Sequence, residues 1–211
     1  AEGVEAMIRP VRADFNAWEP GGPCDAVMAN QSLHHVTNLE GLFDAIAGAL
    51  DSRGLFVTSD MIGRNGHQRW PEAAAIVREF WRELPRAYRY NHQLARREDE
   101  FLDWDCAQEG FEGIRAQDIL PLLVERFGFD LFAPFANVID PFIDRGFGHN
   151  FDAGADWDRA FIDRVHARDE AEIRRGAITP THLFAVMCVG RPGAGVRLDG
   201  LEPRACIRRP D

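Results

Sequence analysis

Apolar residues recur at 39, 42, 43, 46, 49 and 50, the spacing of one helical face, so residues 39–50 are predicted as a helix. Asn38 stands before it as an N-cap. Glu40 falls in its first turn, where the helix dipole favours a carboxylate. Asp51, Ser52, Arg53 and Gly54 end that helix and turn the chain into 55–61, the plainest strand in the sequence. An earlier strand is predicted over 24–29, after a turn rich in Gly and Pro at 19–23, and is closed by Asn30 and Gln31. Residues 7–14 are also β-prone, although Pro10 lacks the N–H of a central strand. Two strands, a helix and a third strand in this order suit a parallel crossover, the building unit of an open α/β sheet.

The pattern then changes. A loop over 63–67 leads to a helix over 71–84, with Pro71 near its first position and with Phe80 and Trp81 inside it. Residues 86–105 are polar and aromatic without a period, and include Tyr88, Tyr90, His92 and Trp104. A further helix is predicted over 116–127, with Pro121 as a kink or a break. Residues 129–135 begin as a strand, 137–142 are apolar without a clear period, and 182–189 form a buried-strand run. Between them, 156–174 reads as a charged amphipathic helix with Trp157, Phe161, Val165 and Ile173 on its apolar stripe. Its charges at helical spacing are those of a solvated face. The expected organisation is one domain over 1–190 with a helical insert at about 63–127, then a poorly ordered tail over 191–211.

Composition narrows the chemistry. All 24 basic side chains are arginine; with 34 Asp and Glu the formal net charge is −10. No lysine means no Schiff base and no phosphate-binding loop that ends in Lys. Net acidity argues against nucleic acid, because affinity there comes from neutralised phosphates, and against a basic membrane-surface protein. No apolar run approaches the roughly 18 residues of a membrane span. Cys24, Cys106, Cys188 and Cys206 show no metal or redox spacing, and a reducing, cytoplasmic setting is the simplest expectation.

Three candidate clusters remain. Asp14 and Phe15 pair a carboxylate with an aromatic ring. Asn30 and Gln31 lie at the carboxyl end of a predicted parallel strand, the side on which open α/β sheets bind ligands. His34, His35 and His67 are the candidate proton acceptors near neutral pH. Two adjacent histidines are expected to point apart, and no carboxylate partner is evident, so no metal site is expected. Gly190-Arg191-Pro192-Gly193-Ala194-Gly195 follows a strand but no helix follows it, as a cofactor turn requires.

Residues 11–15, 25–36 with their D-x-V strand and Leu-His-His loop, and 39–60 together resemble the C-terminal two-thirds of a class I S-adenosylmethionine-dependent methyltransferase of the type 11/12 kind. The resemblance implies a partial Rossmann-like α/β sheet of four to five strands, with helices on both faces and a helical insert. Residues 129–135 and 182–189 would supply the reversed strand pair that ends the family's sheet. It implies Asp14 at the end of a strand, accepting a hydrogen bond from the adenine amino group, with Phe15 over the adenine face. Asn30 and Gln31 would touch the methionine part of the cofactor. The family's Lys-Pro-Gly-Gly turn is here Asp51-Ser52-Arg53-Gly54. Its glycine-rich turn, and the acidic residue that holds the ribose, are not among these residues. Both belong upstream of Asp14, within roughly 80–100 residues on the size of a complete domain. These 211 residues alone are therefore expected to bind S-adenosylmethionine poorly and to be inactive. The implied activity is methyl transfer to a small-molecule acceptor, with exposed sheet edges through which a second copy would pair. The alternatives are a non-catalytic module of the same fold that binds a partner, and a nicotinamide-dependent oxidoreductase, which the missing turn and missing lysine disfavour.

Overall fold

A computed structural model describes Gly3 and residues 7–208. The crossover forms as the pattern predicts. Strand β1 (Cys24–Asn30) runs parallel to β2 (Leu50–Met61), with helix α1 (Leu39–Ala49) between them. Asn38 caps α1 by accepting a hydrogen bond from the Gly41 N–H at 3.1 Å. Then come α2 (Pro71–Glu83), a two-stranded ribbon of β3 (Tyr90–Asn91) and β4 (Arg96–Arg97), and α3 (Ala116–Arg126). The chain closes with β5 (Gly128–Phe135), α4 (Asp140–Ile143), α5 (Asp156–Arg174), β6 (His182–Cys188) and β7 (Val196–Arg197).

The result is an α/β structure whose five-stranded mixed sheet has the order β1-β2-β6-β5-β7. β6 is antiparallel to both β2 and β5, so the strand pair expected over 129–135 and 182–189 forms, with β6 seated between β2 and β5. This order is compatible with a Rossmann-like fold.

Strand alternation divides the sheet into two faces. On one, Phe56, Leu183, Ala185, Met187, Phe129 and Phe132 pack against Leu39, Phe43 and Ile46 of α1 and Ile119, Leu120 and Leu123 of α3. Each large apolar side chain buried there contributes about 1.5–3 kcal/mol. The other face carries the cross-strand row Met28, Val57, Val186 and Leu131, and Met28 is 71 % exposed. The expectation of helices on both faces is corrected here. Helices α2, α4 and α5 bury their stripes in a second cluster around Trp81, Phe142 and Phe161, and no strand residue belongs to it.

That second cluster sits beyond the carboxyl ends of β2 and β5. The Ile62 N–H donates to the Thr181 carbonyl at 2.7 Å, and the Thr181 N–H to the Ala136 carbonyl at 2.8 Å. The buried Asp169 of α5 accepts the N–H groups of Asn137, Val138 and Ile139, which clamps the chain leaving β5 to α5.

Four other expectations change. Residues 8–14 form no strand and lie exposed; Pro10 and the flanking arginines leave neither a ladder donor nor an apolar face to bury. β2 begins at Leu50 and runs through 51–54, with an irregular register against Cys24 and Ala26. α3 belongs to the sheet core, so the insert ends before Ala116, and α3 continues through Pro121. The segment after Gly190 is packed: β7 pairs with β5, and Cys206 is buried in the core of the sheet. Of that tail, residues 209–211 lie outside the described residues.

Candidate functional site

The site grows from Asp60. Alternation along β2 turns its side chain to the covered face near the strand's carboxyl end, where it is fully buried. A buried carboxylate must be paired. Asp60 Oδ2 accepts the N–H groups of Ser32 and Leu33, both at 2.8 Å. Oδ1 lies 2.6 Å from Nδ1 of His34 and also accepts the Met61 N–H at 2.9 Å. Burial alone would push the Asp60 carboxyl up. The hydrogen bond and charge of His34, with the Leu33 and Ser32 N–H groups, outweigh it and hold the group below its ordinary value. Asp60 is therefore a carboxylate, and His34 must present its Nδ1 proton to it. Nε2 of His34 is left facing away from Asp60.

The loop after β1 is shaped for this. Gln31 takes a left-handed conformation at φ 49°, and its N–H donates to the Ser59 carbonyl at 2.8 Å. The chain then makes a 3-10 turn over Leu33–His35. Leu33 is buried under α1, which fixes the turn and sets His34 beneath it. The two adjacent imidazoles do not point apart as expected: the tight turn brings their ring centres to 4.1 Å. His34 is buried, whereas 43 % of the His35 side chain is exposed.

His67 and Glu112 complete the cluster. The rings of His34 and His67 meet edge to face at 5.0 Å. Glu112 Oε1 lies 3.2 Å from His67 Nε2 and 3.7 Å from His34 Nε2, and its Oε2 lies 3.5 Å from His35 Nδ1. Burial, helped by the charges of His34 and Arg69 and opposed by Glu112, pulls His67 down to about 4, so its imidazole is neutral at neutral pH. Backbone contacts hold these segments together. The Ile114 N–H donates to the His34 carbonyl at 3.1 Å, and the Gly66 N–H to the Gly113 carbonyl at 2.9 Å. Gly113 has φ 68°, and a Cβ there would lie 3.0 Å from the His67 ring.

A second buried network supports the cluster from behind. Arg69 donates to the carbonyls of His67 at 2.7 Å and Asn137 at 3.1 Å and pairs with Asp140, while Asp103 accepts its N–H at 2.9 Å. His182 approaches the same Asp140 at 3.6 Å. Tyr88 and His92 pack the insert, with Tyr88 donating to Asp158 at 2.6 Å and His92 beside Asn150 at 3.0 Å.

The three histidines expected as catalytic thus come together. The four residues expected at the cofactor do not join them. Asn30 and Gln31 lie exposed at the carboxyl end of β1, and no described residue hydrogen-bonds their side chains. Asp14 caps the 3-10 turn Phe15–Ala17, its Oδ1 accepting from the Asn16 N–H and side-chain amide, and Phe15 is 51 % exposed. Asn16 pins this turn to the start of α1 by accepting from the N–H groups of Thr37 and Asn38, both at 2.9 Å. Among the described residues no strand pairs with the outer edge of β1.

Sequence reasoning missed Glu112 and the pairing role of Asp60. No protein-family model matches the chain, and no curated protein matches it closely enough to count as a relative. Among the described residues no helix is long and apolar enough to cross a membrane.

Proposed function

We propose that this chain carries the acceptor side of an S-adenosylmethionine-dependent methyltransferase acting on a small hydroxyl-bearing molecule. One observation carries the reading: a buried His34–Asp60 pair sits at the carboxyl ends of the parallel β1–β2 pair, in a sheet ordered β1-β2-β6-β5. When bound, the cofactor supplies a methyl group on a sulfonium, already a good leaving group. An oxygen nucleophile then needs its proton removed and its lone pair aligned. Asp60 fixes the His34 tautomer, so Nε2 is the proton-accepting atom. Asp60 also balances the imidazolium that forms. His35 is the more exposed neighbour of His34, and the mostly buried His67 packs against it. Asp14 and Phe15 are assigned to the adenine, and Asn30 and Gln31 to the methionine end.

A non-catalytic, partner-binding module is the second reading, favoured by the open apolar sheet face around Met28. Calorimetric titration of the protein, as its own gene encodes it, with S-adenosylmethionine separates the two. Saturable one-site binding, competed by S-adenosylhomocysteine, is expected; absence of binding overturns the enzyme reading.

A further inference from the structure

The clustered donor atoms of His34, His35 and Glu112 allow a second chemistry. We propose that these three side chains form a binding site for a divalent transition-metal cation of the zinc class.

The donor set comes first. One ring nitrogen each of His34 and His35 and one carboxylate oxygen of Glu112 all lie within 4.8 Å of one another. Two imidazoles and one carboxylate are borderline donors that suit zinc and its neighbours over calcium or magnesium, which take oxygen ligands. A tetrahedral zinc with bonds near 2.0–2.1 Å separates its donors by about 3.3 Å. The Glu112 oxygens stand 3.7 Å from His34 and 3.5 Å from His35, within a few tenths of that spacing. Glu112 and His35 are both partly exposed, at 37 % and 43 % of their side chains, so small rotations close the remaining gap without disturbing the core.

The outer residues fit as well. A ligating histidine characteristically donates its other ring N–H to a carboxylate, which fixes the tautomer and strengthens the ligand. Asp60 does this to His34 at 2.6 Å, with both of its oxygens tied to backbone N–H groups. His67, 3.2 Å from Glu112 Oε1, donates its Nε2 proton and steers the third ligand. The partly exposed side of the cluster leaves a fourth position for water or a hydroxyl ligand, as in zinc sites that do chemistry.

This inference stands apart from the methyltransferase reading, because it rests on side-chain geometry alone. The two intersect at one atom. His34 Nε2 cannot ligate and accept a proton at the same time, so a cation held here silences His34 as a base and inhibits methyl transfer until it leaves.

The test is calorimetric titration of the metal-stripped protein with Zn²⁺, without cofactor or acceptor. Co²⁺ visible absorption reads the coordination number independently. One site is expected, weakened by more than about 100-fold in His35→Ala and in Glu112→Ala, and by about 10–100-fold in His67→Gln. His149→Ala probes the exposed His92–His149 pair, whose rings lie 5.5 Å apart, and is expected to leave the affinity unchanged. Thermal melts confirm that each variant is folded. No Zn²⁺ binding by the wild type, full binding retained in both His35→Ala and Glu112→Ala, or binding lost only in His149→Ala overturns the site. Zn²⁺ binding without S-adenosylmethionine binding leaves this proposal standing and removes the other.

Discussion

At the scale of single residues, Asp60 is the hub. It holds three backbone N–H groups and one imidazole, and all four lose their partner if the carboxylate goes. Asp60→Asn places an amide donor among those donors. We expect it to cost about 3 kcal/mol in urea unfolding, in the range for breaking a buried charged pair. A loss below about 1 kcal/mol, the worth of an ordinary hydrogen bond, would mean that the pair is not formed as described. Half of this was legible in the sequence. His34, His35 and His67 stand out as titratable residues at strand ends, and Asp60 ends the clearest strand. Glu112 was not legible, because residues 105–115 follow no period and nothing local says where their side chains go. The adjacent histidines were misread because only the backbone turn after Gln31 decides that their rings lie side by side.

At the scale of elements, the loops matter more than the strands. The loops that meet His67 do so through Gly113, whose left-handed conformation a side chain resists. Gly113→Ala should cost about 1–2 kcal/mol in strain and push His67 from Glu112, which a shift of the His67 ring resonances would report. An unchanged His67 signal would contradict that packing. On the outer surface, Glu40 in α1 takes a two-pronged ion pair from Arg115 at 2.7 Å, which ties α1 to the start of α3. The Arg115 hydrogen bond, chiefly, lowers Glu40 from 4.5 to about 2. Its stabilisation is therefore full above pH 4.5 and is lost as pH falls toward 2. The pair is partly exposed, so Glu40→Gln should cost under ~1 kcal/mol at neutral pH. The gap between its stability curve and the wild type's should narrow on acidification; a gap as wide at pH 2 as at neutral pH would refute this role. Periodicity revealed α1, α2 and α5 and the strands at 24–30 and 182–188. It failed for the tail, where Cys206 and β7 are held by tertiary contacts that a Gly- and Pro-rich composition conceals.

At the scale of the whole molecule, the described residues cover the sheet on one face only. Met28 and Phe184, 71 % and 40 % exposed, stand on the other. An apolar-sensitive dye should fluoresce on this protein, and Met28→Arg with Phe184→Arg should reduce the signal without lowering the melting temperature. Equal fluorescence in the double variant would place the dye elsewhere. The covered face positions the His34–Asp60 cluster, and the second helical cluster lies beyond the same sheet end. In the proposed mechanism His34, held by Asp60, removes the acceptor's proton. The direct measurement is transfer of labelled methyl groups from S-adenosylmethionine to phenols and alcohols, using the protein as its gene encodes it. Wild type is compared with His34→Gln at matched helical content. A fall in turnover of about 10²–10⁴-fold with cofactor affinity unchanged is expected. A His34→Gln protein that turns over as fast as the wild type, or a wild type that transfers no methyl group to any of these acceptors, would contradict it.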